Sequence, residues 1–129
     1  MPALQWMTFT KVEPDTECTI MASRLPLRSH ASIPRFVLWT LRIRRQLART
    51  PGLVGYALDA HLIGKTFWTV SAWTSGKELG QFNRADPHHT GTATIRPAML
   101  PTTFIVWTAR AGDLPVHWDE VRRRLEATS

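Results

Sequence analysis

The chain has 129 residues, 43% of them hydrophobic and 20% charged, which is the composition of one folded domain and not of a disordered or multidomain protein. Its 16 Lys and Arg against 10 Asp and Glu give a net charge of +6, and six tryptophans supply much aromatic area for so short a chain. A single cysteine, Cys18, excludes an intramolecular disulfide, the start Met1–Trp6 carries no signal-peptide pattern, and no stretch nears the ~20 apolar residues that span a bilayer, so a cytoplasmic protein without a membrane partner is expected.

Residues 1–15 carry Pro2 and Pro14 and show no period, and they read as an N-terminal arm before a single domain over 16–129. From Glu17 to Leu27, Cys18, Ile20 and Ala22 alternate with Thr19, Met21 and Ser23, the two-residue period of a strand that Pro26 ends. Ser32 is placed to cap a helix with Pro34 in its first turn. Ile33, Phe36, Val37, Thr40, Leu41, Leu47 and Ala48 form its apolar stripe. Trp39 and Ile43 make a second ridge, so the helix should be covered on more than one side, and Thr50-Pro51-Gly52 stops it.

Leu53–Leu62 and Lys65–Thr74 read as two strands joined through Ile63-Gly64. In the latter, Phe67, Thr69, Ser71 and Trp73 share one face and Trp68, Val70 and Ala72 the other, so both sides of the sheet need cover. Ser75-Gly76-Lys77-Glu78 has the form of a capping box, and Leu79 and Phe82 follow with helical spacing. Asp86-Pro87 opens a further helical piece running to Ile95. Thr102–Ala111 reads as a fourth strand, and Pro115–Ala127 as a terminal helix with Trp118, Val121 and Leu125 on its apolar side. The resulting order, β-α-β-β-α-β plus a tail helix, is a ferredoxin-like α+β plan with a four-stranded antiparallel sheet. An apolar sheet face left without helices would pack on the sheet of a second copy, giving a homodimer.

The arginines gather at Arg42, Arg44, Arg45 and Arg49, and again at Arg122, Arg123 and Arg124. Both groups sit on helices whose other sides are apolar, which reads as solvated helix surface, and nucleic acid is not expected as a partner. A non-enzymatic basic interaction module remains one alternative function. His30, His61 and His117 have no ligand partner at helical spacing, so no metal site is expected, and the sequence lacks a phosphate-binding glycine loop and a G-x-S-x-G elbow.

Pro51-Gly52-Leu53-Val54-Gly55-Tyr56, Phe67-Trp68-Thr69-Val70-Ser71-Ala72-Trp73, Glu78-Leu79-Gly80-Gln81-Phe82 and Pro87-His88-His89 together resemble the antibiotic biosynthesis monooxygenase-like proteins of the dimeric α/β-barrel superfamily. The resemblance covers roughly residues 17–110. It implies two ferredoxin-like protomers paired into a barrel, with a ligand cavity between sheet and helices in each. Some members are similar to cofactor-free oxygenases of quinols or polyphenolic rings, and others bind or degrade haem. This chain has no Asn in its first strand and Phe82 where haem-degrading members carry a Trp, so haem degradation by their arrangement is not expected.

The implied function is a small-molecule enzyme of secondary metabolism, monooxygenase-like and without a cofactor, acting on a planar aromatic or polycyclic substrate. His88 and His89 are the candidate catalytic residues, because an imidazole titrates near neutral pH and can take a phenolic proton. Adjacent helical residues point about 100° apart, so one of the two should face the cavity, and His89 matches the family's usual histidine better. Trp73, Phe82, Trp68 and Trp107 are the candidate substrate-binding residues, able to stack on a flat ring. The alternative is a haem-binding protein with His89 or His88 as axial ligand in the same cavity.

Overall fold

Alternating apolar positions in Cys18–Ala22 and Phe67–Trp73 place these two segments side by side inside one antiparallel sheet. The computed structural model describes residues 6–128. Its strands are β1 (Met7–Thr8), β2 (Glu17–Pro26), β3 (Leu53–His61), β4 (Thr66–Trp73) and β5 (Thr103–Arg110). Its helices are α1 (Ile33–Leu47), α2 (Gly76–Arg84), α3 (His88–Ile95) and α4 (Trp118–Thr128). The sheet runs in the order β1-β3-β4-β2-β5, with every neighbouring pair antiparallel. Its last four strands have the ferredoxin-like order.

The sheet therefore has a fifth strand beyond the four expected. Met7 and Thr8 pair with Tyr56 and Gly55 of β3 at the sheet edge. Two residues are too few for a period to show, which is why this stretch reads as an arm. The Trp6 indole lies over Gly55, where an added Cβ would come within 2.5 Å of its Nε1, so the strand needs a glycine there. The remainder of the expected arm, residues 1–5, lies outside the described residues, as does Ser129.

The register β2–β4 pairs Ile20 with Ala72 and Ala22 with Val70 on one sheet face, and Met21 with Ser71 and Ser23 with Thr69 on the other. On the second face the Ser23 and Thr69 hydroxyls meet at 2.5 Å. The first face carries a core of Cys18, Ile20, Ala22, Val54, Ala57, Val70 and Ala72, closed by Val121 and Leu125 of α4, with Trp6 and Val12 packed beside it. This corrects the expectation that an apolar face would be left for a second sheet. The tail helix folds back over it, because its Val121 and Leu125 stripe needs cover as much as the sheet does. Arg124 and Arg122 lie over the rings of Trp107 and Trp68 at 4.5 and 5.0 Å, and Arg122 pairs with the buried carboxylate of Asp59.

The second face belongs to α1, α2 and α3. Phe36 and Leu47 of α1 are buried and Trp39 and Ile43 half-buried, whereas Val37, Leu41 and Ala48 of the expected stripe are exposed, so the helix is covered along one side and not two, which corrects the two-sided expectation. Trp39 packs on α3 at Gly91, where a Cβ would stand 2.7 Å from the indole. The caps differ from expectation. Ser32 makes no capping bond; Ser29 instead caps the short 3-10 turn His30–Ser32 that leads into α1. The Ser75 hydroxyl donates to the Glu78 carboxylate and makes no capping bond to a backbone N–H of α2. Asp86 stands one residue before the N-cap of α3, Pro87, and its carboxylate accepts from Thr90 N–H at 3.0 Å and from the Thr90 hydroxyl.

Candidate functional site

Between the second sheet face and α1 and α3 lies a cavity of about 660 Å³, within the range that holds drug-sized ligands. Its wall is mostly apolar, and two clusters define its ends. Beneath the C-terminal half of α1 are Leu47, Tyr56, Leu58, Met21 and Phe82. Beneath the N-terminal half are Phe36, Phe67, Leu25, Ile95 and Met99. The hydroxyls of Ser23, Thr69 and Ser71 punctuate the floor.

His88 enters this cavity at the Phe82 end, with its ring 4.6 Å from that of Phe82. Four bonds fix its place. Its backbone N–H donates to the Gln46 side-chain oxygen at 2.8 Å. The Gln46 amide nitrogen in turn donates to the Phe82 and Ala85 carbonyls, both at 3.3 Å. The imidazole Nδ1 lies 3.3 Å from the Asn83 carbonyl. A carbonyl can only accept, so Nδ1 carries the proton and Nε2 of the neutral ring keeps its lone pair. Burial pushes the His88 pKa below the ordinary histidine value, against a smaller upward pull from the Asn83 carbonyl, with the neighbouring His89 adding a small downward push. The outcome is a neutral imidazole with one nitrogen ready to accept a proton.

At the same end stands an arginine. Arg44 Nε donates to the Tyr56 hydroxyl at 3.0 Å, and both side chains line the cavity. Tyr56 is buried and stacks on Phe9, with ring centroids 5.6 Å apart.

The expected site residues divide between the two sides of the sheet. Phe82 and His88 line the cavity. Trp73 is fully buried just behind Phe82, 5.2 Å away ring to ring, with its indole N–H given to Ser71 Oγ. His89 is exposed and does not line the cavity. Trp68 and Trp107 belong to the face that α4 covers, under Arg122 and Arg124, so neither can touch a ligand in the cavity. The sequence reading missed Arg44, Phe36 and Gln46, and it named Tyr56 without singling it out. The signal for Arg44 was its position one turn before Leu47 on the apolar side of α1, and it was hidden among its charged neighbours. Arg42, Arg45 and Arg49 line a separate cleft of about 450 Å³ beside Asp86. Among the described residues no three His, Cys, Asp or Glu side chains group as metal ligands, and no helix is long and apolar enough to cross a membrane.

No protein-family model and no curated protein matches the sequence. Solved structures do match. A Nitrosomonas europaea protein, provisionally named an antibiotic biosynthesis monooxygenase, superposes with a TM-score of 0.66 at 13% identity, over 84% of this chain and 100% of that one. The fold is that of the antibiotic biosynthesis monooxygenases. SnoaB of Streptomyces nogalater, a cofactor-independent oxygenase, aligns with a TM-score of 0.60 at 19% identity over 78% of this chain and 99% of its own. A third protein carrying the monooxygenase name, from Caulobacter crescentus, gives 0.61 at 16% identity over 75% and 92%. The monooxygenase-like fold is thus shared across nearly the whole length of these proteins, at identities where the fold alone is common.

Proposed function

We propose that the chain is a cofactor-independent, monooxygenase-like enzyme that oxidises a planar phenolic or polycyclic molecule in the cavity, with His88 as general base. The observation that carries this reading is the neutral, cavity-lining imidazole of His88, held by Gln46 and by the Asn83 carbonyl with Nε2 left as the acceptor. Nε2 takes the acidic proton of the substrate, and the resulting anion is electron-rich enough to reduce dioxygen. In the net change the substrate gives up its phenolic O–H hydrogen and the hydrogen of one ring carbon, and that carbon gains a carbonyl oxygen. The second oxygen atom leaves as water with those hydrogens, so no external reductant is drawn on. Phe82 supplies a ring for stacking, and Trp73 backs it from the core. The description of SnoaB as a cofactor-independent oxygenase supports the reading for a protein of this fold.

Oxygen uptake with a panel of quinols and polyphenolic tricycles tests it. His88→Ala should lower kcat by about 10²–10⁴, whereas His89→Ala should leave it within about twofold. Equal rates in His88→Ala and the unaltered protein would overturn the assignment. The haem alternative rests on the same residue, since His88 lines the cavity and His89 is exposed. A Soret band on adding haem, lost in His88→Ala, would replace the oxygenase reading.

A homodimer and a cytoplasmic setting belong to the proposal. The lone, buried Cys18 suits the second, the pKa of its thiol raised by burial. For the first, Phe104 and Val106 of β5 and Val37, Leu38 and Leu41 of α1 remain exposed and apolar, which is the surface a second copy would cover. Light scattering that reads a monomer at micromolar concentration would overturn the dimer.

A further inference from the structure

The cavity wall carries a cation that no carboxylate among the described residues neutralises. Arg44 is half-buried in an apolar wall, yet among the described residues no carboxylate pairs with it. Its guanidinium gives Nε–H to the Tyr56 hydroxyl at 3.0 Å and approaches the Met7 sulfur at 3.7 Å, a weak acceptor. Buried charges are ordinarily paired, because a guanidinium taken from water without an anion is costly. Asp59, the carboxylate among the cavity's lining residues, is already held by Arg122, and exposed Arg124 has Glu120; half-buried Arg24 and Lys65 also lack a carboxylate partner among the described residues, but neither lines the cavity. Arg28 and Arg96 also line the cavity without a carboxylate partner, but both are exposed, and water screens them.

The Tyr56 contact makes Arg44 more than a stray charge. A phenol oxygen accepting from Nε fixes the plane of the guanidinium, and it leaves the phenol's own O–H to donate to a ligand. Phe9 stacks on Tyr56 from the β1 side and holds the ring in place. Two fixed donors, one charged, thus stand at the end of the cavity where His88 offers an acceptor.

We propose that Arg44 and Tyr56 form an anion receptor, so that the cavity's ligand is a flat aromatic molecule bearing an acidic group: a carboxylate, or the phenolate left when His88 has taken a proton. This rests on the cavity reading of the previous subsection and specifies the substrate class. Arg44 is then a substrate-binding residue, and Tyr56 its positioning partner.

A matched pair of fluorescent probes decides it: 8-anilinonaphthalene-1-sulfonate and the same ring system without the sulfonate, N-phenyl-1-naphthylamine. The intact protein should bind the sulfonate at least about tenfold more tightly than the neutral probe. Arg44→Met should remove that preference while leaving the neutral probe's affinity unchanged, and Tyr56→Phe should reduce it by a few-fold. Arg45→Gln, which removes an equal charge from outside the cavity, should leave both affinities as they were. Equal affinity for the two probes in the intact protein, or a preference that survives Arg44→Met, overturns the anion receptor alone. Failure of both probes to bind overturns the open cavity, and with it the proposed function. A melting scan of each variant separates lost binding from lost folding.

Discussion

At the scale of single residues, the chemistry turns on which histidine looks inward. Adjacent positions at the start of α3 differ by about 100°, and that rotation places His88 against Phe82 while His89 faces water. Because burial holds the His88 pKa below its ordinary value, the folded protein resists protonating it. Above the unfolded value of about 6.5 both states hold a neutral ring, and the group costs nothing. As pH falls past it, the unfolded chain takes the proton first, and stability drops until the folded ring is also charged. Urea midpoints of the intact protein should therefore fall between about pH 7 and pH 5, more steeply than those of His88→Gln. Activity should hold level somewhat below pH 6.5 before declining, since the base stays neutral there. The sequence marked the pair of histidines and the resemblance pointed to His89, whereas the phase of the helix, which Gln46 sets from another element, turns His88 inward. The tryptophans show the same limit. Alternation correctly separated Trp68 from Trp73, but it could not say which side α4 would occupy.

Among the elements, α1 is the part that organises the site. Gln46 ties its last turn to the end of α2 and the start of α3 through three bonds. Gln46→Ala should cost about 1–3 kcal/mol of stability, and it should lower kcat more than it raises KM, because the base loses its anchor before the cavity loses its shape. Upstream, Trp39 packs on Gly91 so closely that an added methyl group would stand 2.7 Å from the indole. Gly91→Ala should destabilise by about 1–3 kcal/mol, with denaturant midpoints as the measure. Strand and helix order was legible along the chain because each long element carries its own period. β1 was not, since its two residues are defined by the edge they join and not by a pattern of their own. Caps were read by residue type: Ser75 turns to the Glu78 carboxylate instead, Ser32 makes no capping bond, and Asp86 bonds Thr90 from one residue before the N-cap.

For the molecule as a whole, the sheet is a partition with hydrocarbon on one side and the cavity on the other. α4 seals the hydrocarbon side, with Leu125 and Val121 fully enclosed. Leu125→Ala should cost about 2–5 kcal/mol, measured by denaturation, while leaving probe affinity in the cavity unchanged, because the sheet stands between them. The ferredoxin-like plan was readable from element order, and the tail helix was readable as a helix. Its destination was not, because an apolar stripe specifies that a helix will be covered without naming what covers it.

The partition is one residue thick, and this gives the contact between Ser23 and Thr69 a second meaning. The β3–β4 alignment is set locally by a hairpin, but β2 and β4 are joined through 39 residues, 27–65, and no turn dictates how they slide. A slip by a single step would exchange their sides, sending Val70 and Ala72 to face the ligand and hydroxyls into the oil. Two small alcohols locked at 2.5 Å across that seam act as a zip stop. Substituting either would loosen the alignment that decides which half of the protein is chemistry and which is ballast.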